Sequence, residues 1–496
     1  MANRGEIACR ILRACKEAGH PTVAICAPND AGSLFTEMAD QVVMLKGETI
    51  AETYLDQQQI IQAALDTGAT AIHPGFGFLS ERAEFATAVQ SAGLTWIGPS
   101  AMAIEKMGDK MTARQTMRAA GVPVIPGEEV EEVDEGMALE ALRQAAERVG
   151  YPLLLKASSG GGGKGMRAVH DPADFDSAAA GARREAVAAF GDGRIYIERL
   201  LSGSKHVEIQ VLADQHGRTV HLGERECSVQ RRHQKVFEEA PGPTMTEALR
   251  EAMGQAAVAA AEAVNYVGAG TVEFLLAPTG EFFFLEMNTR IQVEHPVTEL
   301  VTGVDIVREQ LRIADGEPMS CGPLMIRGHA IEVRLYAEDA ASGFLPSIGP
   351  LAVFRPPEGP GIRLDTGVRE GDDVTPNYDP MLAKLIVWAP SRPEALEKMR
   401  RALDEFVVLG TTTNIEFLRD LCDAGPVVAG STTTTTIEEL WPNGWNPPAD
   451  AMLEEAALLA AASAETLGLH RVRTGSSSDL TDGPASPFTT LNRRFP

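Results

Sequence analysis

The chain has 496 residues, with 44 lysines and arginines against 69 aspartates and glutamates, a formal net charge of −25. Hydrophobic residues at 44% and charged residues at 23% match ordinary globular usage, which excludes a wholly disordered, collagen-like or coiled-coil protein. Length alone allows roughly two to four domains of ~100–200 residues. No window reaches the ~18 apolar residues of a membrane span, and no signal peptide opens the chain. The six cysteines (Cys9, Cys15, Cys26, Cys227, Cys321 and Cys422) are scattered without CxxC spacing, so neither a zinc ribbon nor a disulfide framework is indicated. The expectation is a soluble, cytoplasmic protein with no membrane and no nucleic-acid partner, since its acidic balance repels polyanions. A protein of this charge that handles small anions must gather positive charge locally.

In chain order, Gly5 to Gly19 reads as a helix with Ile7, Ile11, Leu12 and Cys15 on one face. Thr22–Ala27, Asp40–Leu45, Ala69–His73 and Leu94–Ile97 read as strands, separated by helices such as Tyr54–Thr67 and Glu81–Ala92. The alternation predicts a doubly wound α/β layer over residues 1–103. It lacks the usual opening strand, because the chain starts on the turn Met1–Gly5; the strand is either truly absent or lost to a late start assignment. Residues 104–127 read as a linker with turns at Gly121–Pro123 and Pro126-Gly127. A second unit, 128–199, carries strand Tyr151–Lys156 and a glycine run. From 200 to 440 strands and helices mix, with Val207–Val211 the clearest period-two strand. The tail, 441–496, reads as Pro/Asn-rich, then an Ala-rich helix over 451–467, then a disordered Ser/Thr/Pro/Gly-rich end.

Three segments carry chemistry. In Ser158-Ser-Gly-Gly-Gly-Gly-Lys-Gly165, glycines permit close backbone approach and successive N–H groups can cradle phosphate oxygens. The P-loop spacing fails, and on glycines alone a flexible surface loop is as good a reading; the flanking Lys156 and Lys164 favour an anion. Second, Thr271–Pro278 and Glu281–Asn288 read as a hairpin about the two-residue turn Thr279-Gly280. That register sets Glu273 directly opposite Glu286, ~5 Å apart at Cβ, with Asn288 on the same face. Two carboxylates and an amide oxygen suit a hard divalent cation shared with phosphates. Third, Arg290, Gln292 and Glu294 alternate with Ile291 and Val293, predicting a strand whose polar face holds a small planar oxyanion and takes its proton. Glu224–Lys235, with Arg231, Arg232, His233 and Lys235, reads as a cationic patch for an anionic partner.

With these residues in hand, the chain closely resembles biotin carboxylases, the ATP-grasp components of acyl-CoA and pyruvate carboxylases. The match runs from Ala2-Asn-Arg-Gly-Glu-Ile-Ala8 to about Leu440 and includes His73–Glu81, Met107-Gly-Asp-Lys110, the glycine loop, Arg231–Lys235, Glu286–Pro296 and Tyr378–Met381. The resemblance implies a Rossmann-like N-terminal domain (1–103), a linker (104–127), an ATP-grasp lid (128–199), an ATP-grasp core (200–325), a C-terminal domain (326–440) and a linker-like tail. It implies a ligase carboxylating biotin through carboxyphosphate, using ATP, Mg²⁺ (or Mn²⁺) and bicarbonate, with biotin borne on a separate carrier protein. Lys110, Lys156, Gly160, Gly161, Gly162, Gly163, Lys164, Gly165, Glu198, Leu201, His206, Gln230 and His233 match the nucleotide site. Glu273, Glu286 and Asn288 match the metal site, and Lys235, Arg290, Gln292 and Val293 the bicarbonate pocket. Glu294 matches the general base, and Arg334, with Phe76 where many members carry Tyr, the biotin site. The partners implied are a carrier protein, a carboxyltransferase subunit and a second copy of the chain. Ser159 replaces a glycine of many members, and Thr432–Thr436 occupies a region that carries an adenine-contacting His in some, predicting altered adenine contacts. No Ala-Met-Lys-Met occurs, so no biotin attachment domain is expected. Two other readings share the nucleotide site, a noncatalytic ATP-binding subunit and a carbamoyl-phosphate synthetase-like ligase; the Arg290–Glu294 segment and Arg334 discriminate against both.

Overall fold

The computed structural model describes residues 1–129, 135–157, 166–191, 193–232 and 234–447. The predicted helix at the start forms over Gly5–Glu17 and buries Ile7, Ile11 and Leu12. Strands β1 (Val23–Cys26) and β2 (Gln41–Met44) pair in parallel, as do β3 (Ala71–Ile72) and β4 (Thr95–Trp96). The α/β alternation therefore holds, but as two separate two-stranded sheets. Residues 1 and 2 run between them: the Met1 amine donates to the Val23 carbonyl at 2.7 Å, and the Ala2 N–H to that of His73 at 3.0 Å.

The segment read as a linker is largely helical, over Ala101–Gly108 and Lys110–Ala119. Its start signals are local. Ser100 Oγ accepts the Ala103 N–H and Asp109 Oδ1 the Thr112 N–H, each satisfying an orphan first-turn donor. Ala103, Ile104, Met107, Ala113 and Met117 then supply the buried face.

Beyond it, β5 (Gly127–Glu129), β6 (Leu153–Ala157), β7 (Met166–Val169) and β8 (Ile195–Arg199) form an antiparallel sheet in the order β5-β8-β6-β7. The glycine run Gly160–Gly165, with Lys164, lies outside the described residues, as do His233 and the predicted tail helix over 451–467. The main sheet holds eight antiparallel strands. They are β9 (Lys205–Ala213), β10 (Thr219–Arg231), β11 (Gln234–Ala240), β12 (Gly268–Leu276), β13 (Phe282–Asn288), β14 (His329–Tyr336), β15 (Ile362–Thr366) and β16 (Met381–Ala389), in the order β13-β12-β9-β10-β11-β14-β16-β15. Residues Met1–Trp445 pack as one unit.

The β12–β13 hairpin departs from the two-residue turn. The Ala277 N–H donates to the Glu281 carbonyl at 2.8 Å, so three residues, Pro278, Thr279 and Gly280, make the loop, with Gly280 left-handed at φ 87° as that loop requires. A longer turn would slip the register by one residue and turn every side chain over. A bulge after Glu273 restores it, and Glu273 lies opposite Glu286 as predicted, with Thr271 opposite Asn288. Below the bulge, Phe274 is fully buried, edge-on to Phe282 at 5.5 Å and packed with Val207, Ile209, Met253 and Phe284. Phe274→Ala should lower the unfolding free energy by about 3–5 kcal/mol, measured by urea denaturation.

Candidate active site

A cleft of about 820 Å³ opens over the main sheet and beside the smaller one. Its floor begins as one lateral row: Glu286 on β13 faces Glu273 on β12, Glu273 faces Glu208 on β9, and Glu208 faces Arg225 on β10. Like charges on adjacent strands repel, so this row persists only with cations set against it. Lys235 supplies the first, its Nζ lying 2.6 Å from Glu208 Oε2, 2.9 Å from Glu273 Oε1 and 2.6 Å from Glu294 Oε1. Burial alone would lower this ammonium's pKa, but Glu208, Glu273 and Glu294 hold it well above the ordinary lysine value.

Burial raises carboxyl pKa values, and the cations decide which groups escape that. Lys235 and His206, the latter 2.9 Å from Glu273 Oε2, hold Glu273 well below the usual carboxylate range. Glu286 accepts no hydrogen bond among the described residues, and burial and the facing Glu273 raise it. The Asn288 amide nitrogen donates to Glu273 Oε1 at 2.7 Å while its oxygen accepts Arg290 Nη2 at 2.9 Å. The hard-cation donors left facing the cleft are thus two opposed carboxylates with one undischarged negative charge, a set that fits a divalent ion. His206, Glu208 and Glu273 also bring ligand atoms within 4.8 Å of one another, but Lys235 already occupies that side.

Residues 289–294 form a bend and turn, not the predicted strand, and a helix follows over His295–Thr302. Pro296 in its first turn fits a helix start and could not donate to a strand ladder. The polar groups converge all the same. Arg290 Nε donates to Glu81 at 2.9 Å, and Gln292 Nε2 to Glu273 Oε1 at 2.7 Å. Glu294 receives Lys235 and, from β14, Arg334 Nη2 at 3.2 Å. Burial would raise Glu294, but Lys235, Arg334 and Arg225 outweigh it and hold this carboxyl far below the usual range.

At the other end, Lys110, Lys156, Glu198, Leu201, His206 and Gln230 line the cleft. Glu198 is shared by Arg114 and Lys156, whose Nζ lies 2.5 Å away. Burial, with the charges of Lys110 and Arg114, nevertheless pushes Lys156 down to about 7. Thr434, Thr435 and Glu438 close this end. Lys205 pins their segment, donating to the carbonyls of Gly430 and Thr432 and to Glu226 at 2.8–3.2 Å.

The structure therefore brings Lys110, Lys156, Glu198, Leu201, His206, Gln230, Lys235, Glu273, Glu286, Asn288, Arg290, Gln292, Val293, Glu294 and Arg334 to one cleft. Phe76 is not among its lining residues; its side chain packs against the cluster of Ile7, Ile11 and Ile97. The segment Glu224–Lys235 is not an open cationic patch. Arg225 is fully buried against internal acceptors, and Arg231 stacks over the Phe344 ring at 4.2 Å. Sequence reading passed over Arg225, Glu208 and Lys384. Lys384 is fully buried opposite Arg334, and its Nζ holds the Val293 carbonyl at 2.8 Å with Glu6 at 3.2 Å; a lone lysine in the apolar run Met381–Ala389 is the signal that marks it. Behind Arg334, Glu238 on β11 faces Glu332 on β14. Glu238 accepts Arg334 Nε at 2.6 Å, and both Glu332 oxygens are buried with no hydrogen-bond partner among the described residues. Burial pushes Glu238 up to about 7 and Glu332 well above its ordinary value.

A nucleotide-sized cleft that gathers lysines over a carboxylate pair, at the seam of two antiparallel sheets, defines an ATP-grasp ligase. Residues 1–104, 109–321 and 332–439 match in turn the family models "Biotin carboxylase, N-terminal domain", "Carbamoyl-phosphate synthase L chain, ATP binding domain" and "Biotin carboxylase C-terminal domain". The biotin carboxylase of Nostoc sp. is 48% identical over 444 residues, 89% of this chain and 98% of that protein. The mitochondrial methylcrotonoyl-CoA carboxylase subunit alpha of Oryza sativa is 49% identical over 442 residues, 88% of this chain; the chain spans only 59% of that relative's length. Among solved structures, the biotin carboxylase domain dimer of Hydrogenobacter thermophilus 2-oxoglutarate carboxylase, in complex with MgADP, ADP and bicarbonate, superposes with a TM-score of 0.84 at 44% identity, covering 89% of this chain and 96% of that one. The chain belongs to the biotin carboxylase family.

The partnerless Glu332 yields a stability prediction. Its proton is held to higher pH in the native state than in the unfolded chain, so native stability falls as pH rises above the ordinary glutamate range. Glu332→Met should stabilise the protein by about 1–3 kcal/mol by replacing an unpaired buried polar group. That advantage should grow with pH, read from urea midpoints at pH 6 and pH 8.

Proposed function

We propose that this cleft carboxylates biotin at the expense of ATP, with bicarbonate as the carbon source and carboxyphosphate as the intermediate. The observation that carries the reading is the meeting of Lys235, Arg334 and Glu294 beside the Glu273–Glu286 pair in one cleft. Lys110, Lys156, Glu198, Leu201, His206 and Gln230 take the nucleotide. His233 and the loop Gly160–Gly165, with Lys164, are assigned there by resemblance, the 128–199 unit acting as the lid, 200–325 as the core and 326–440 as the C-terminal domain. Glu273 and Glu286, with Asn288 beside them, would hold Mg²⁺, which when bound neutralises phosphate charge.

Lys235, Arg290, Gln292 and the Val293 N–H, which has no acceptor among the described residues, hold bicarbonate. Glu294 takes its proton, the freed oxygen attacks the γ-phosphorus, and ADP leaves with the bonding pair. Carboxyphosphate then breaks into CO₂ and phosphate. The phosphate takes the biotin N1′ proton, while Arg334 stabilises the enolate oxygen on its way to attack CO₂. In the resting arrangement Lys235 and Arg334 both grip Glu294, leaving it a feeble base. An arriving anion competes for those cations and restores its basicity, so proton abstraction waits on substrate.

The relatives named as carboxylase alpha subunits support work beside a biotin carrier protein and a carboxyltransferase. The dimeric Hydrogenobacter domain supports a homodimer. No described helix is long and apolar enough to cross a membrane, and the six cysteines are unpaired, in keeping with a reducing, cytoplasmic setting.

The test is ATP hydrolysis, expected to depend on bicarbonate and to rise with free biotin; turnover indifferent to both would overturn the reading. Glu294→Gln, whose amide oxygen still accepts Lys235, should fold and bind nucleotide yet lose bicarbonate-dependent turnover by about 10²–10⁴-fold. Wild-type activity in that variant would refute the assigned base.

A further inference from the structure

Arg225 ends the row of carboxylates and is fully buried. Its guanidinium has five N–H donors in a rigid fork, and five acceptors surround it. Nε donates to Glu208 Oε1 at 2.6 Å. Nη1 donates to Gln210 Oε1 at 2.7 Å and Thr298 Oγ1 at 3.0 Å. Nη2 donates to Thr271 Oγ1 at 3.1 Å and Gln292 Oε1 at 2.6 Å. Every donor is engaged, so nothing remains for a substrate. One of the five acceptors, Gln292, nonetheless belongs to the machinery assigned above, and a second, Glu208, bonds to Lys235.

Gln292 is the informative one. An amide side chain can present either its oxygen or its nitrogen to a given side. Arg225 is a donor only, so it admits the oxygen alone and forces the NH₂ away from itself, toward Glu273 Oε1 at 2.7 Å and the cleft. Glu208 is handled similarly: Arg225 takes Oε1 and leaves Oε2 to carry Lys235 at 2.6 Å. One guanidinium thus orients an N–H donor and seats an ammonium, both directed at the position where an oxyanion would sit.

We propose that Arg225 is a positioning residue of the bicarbonate step, fixing the amide orientation of Gln292 and, through Glu208, the place of Lys235. The inference rests on the bicarbonate reading of this cleft and adds a residue that never touches substrate. Arg225→Lys supplies one ammonium where five directed donors are needed, and the Gln292 amide becomes free to turn over. Loss of such a supporting contact typically costs ~10–100-fold.

The experiment is steady-state bicarbonate-dependent ATP hydrolysis by the full chain. Arg225→Lys should raise the bicarbonate KM by about 10–100-fold and leave the ATP KM unchanged, because none of the five Arg225 hydrogen bonds goes to Lys156 or to another described residue assigned to the nucleotide. In a Gln292→Ala background the same change should keep only the part that runs through Glu208 and Lys235, so the two effects should fall short of additive. An unchanged bicarbonate KM, a parallel rise in both KM values, or full additivity would each overturn the proposal. Should the Arg225 variants fail to fold, Gln292→Met decides: it keeps the side-chain length, removes the N–H given to Glu273 and adds no charge beside that carboxylate, so it should fold and show the bicarbonate defect. A normal bicarbonate KM there counts against the oriented amide. Wild-type protein without bicarbonate-dependent turnover would instead strike the reading of the cleft itself.

Discussion

The architecture depends on neutralising a row of carboxylates. Glu286, Glu273 and Glu208 stand opposite one another across three adjacent strands, and the row ends on Arg225. Such a row is unstable alone and is tolerated because Lys235 bonds to two of its members and to Glu294. Leaving one member of a buried ionic set unpaired costs ~3–5 kcal/mol, so the sheet order, the β12–β13 bulge and the turn before the His295–Thr302 helix are bound into one arrangement. Glu286 alone stays undischarged, at the place where a cation and its phosphates would complete the balance.

The turn 289–294 is gripped from behind by groups that never reach the cleft. Arg225 holds the Gln292 side chain, Lys384 the Val293 carbonyl, and His295 Nδ1 the Gln292 carbonyl at 2.8 Å. Each anchor belongs to a different part of the chain, and together they fix a short irregular segment as firmly as a strand. An oxyanion pocket built on bare loop would have to order itself at each encounter, at the cost of affinity. Here that ordering is completed on folding.

How much of this was legible in the sequence follows the range of the interactions. The hairpin carried its own register, so the Glu273–Glu286 pairing could be read from adjacent residues, although two errors cancelled: the loop is one residue longer, and the bulge takes up the difference. The strand predicted over Arg290–Glu294 failed because alternation of polar and apolar residues also fits an anchored turn, and Pro296 was the signal for the helix behind it. Residues 104–127 were read as a linker because their turn residues outweighed the caps Ser100 and Asp109. Arg225, Glu208 and Lys384 were out of reach for another reason. Glu208 meets Arg225 across the β9–β10 hairpin only through a register shift between His221 and Glu224, and Lys384 meets Arg334 across the distant strands β14 and β16, so no local pattern specifies either pairing. The family motifs suggest roles for residues facing the cleft and are silent on those behind it.

The charge of −25 no longer conflicts with an anion-handling site. Four of the cations lining the cleft are partnered by carboxylates: Lys156 by Glu198, Lys235 by three glutamates, Arg290 by Glu81, Arg334 by Glu238 and Glu294. Around Glu294 the cations Lys235, Arg290 and Arg334 are therefore paired already, and an anion bound there must win them from carboxylates in place. That competition weakens binding of any lone anion and favours a ligand that brings its own divalent ion for Glu273 and Glu286. It also ties the proton-accepting strength of Glu294 to occupancy, because the contacts that suppress its basicity are the ones a bicarbonate would take. Selectivity and proton transfer then share one cause, the exchange of an internal salt bridge for a substrate.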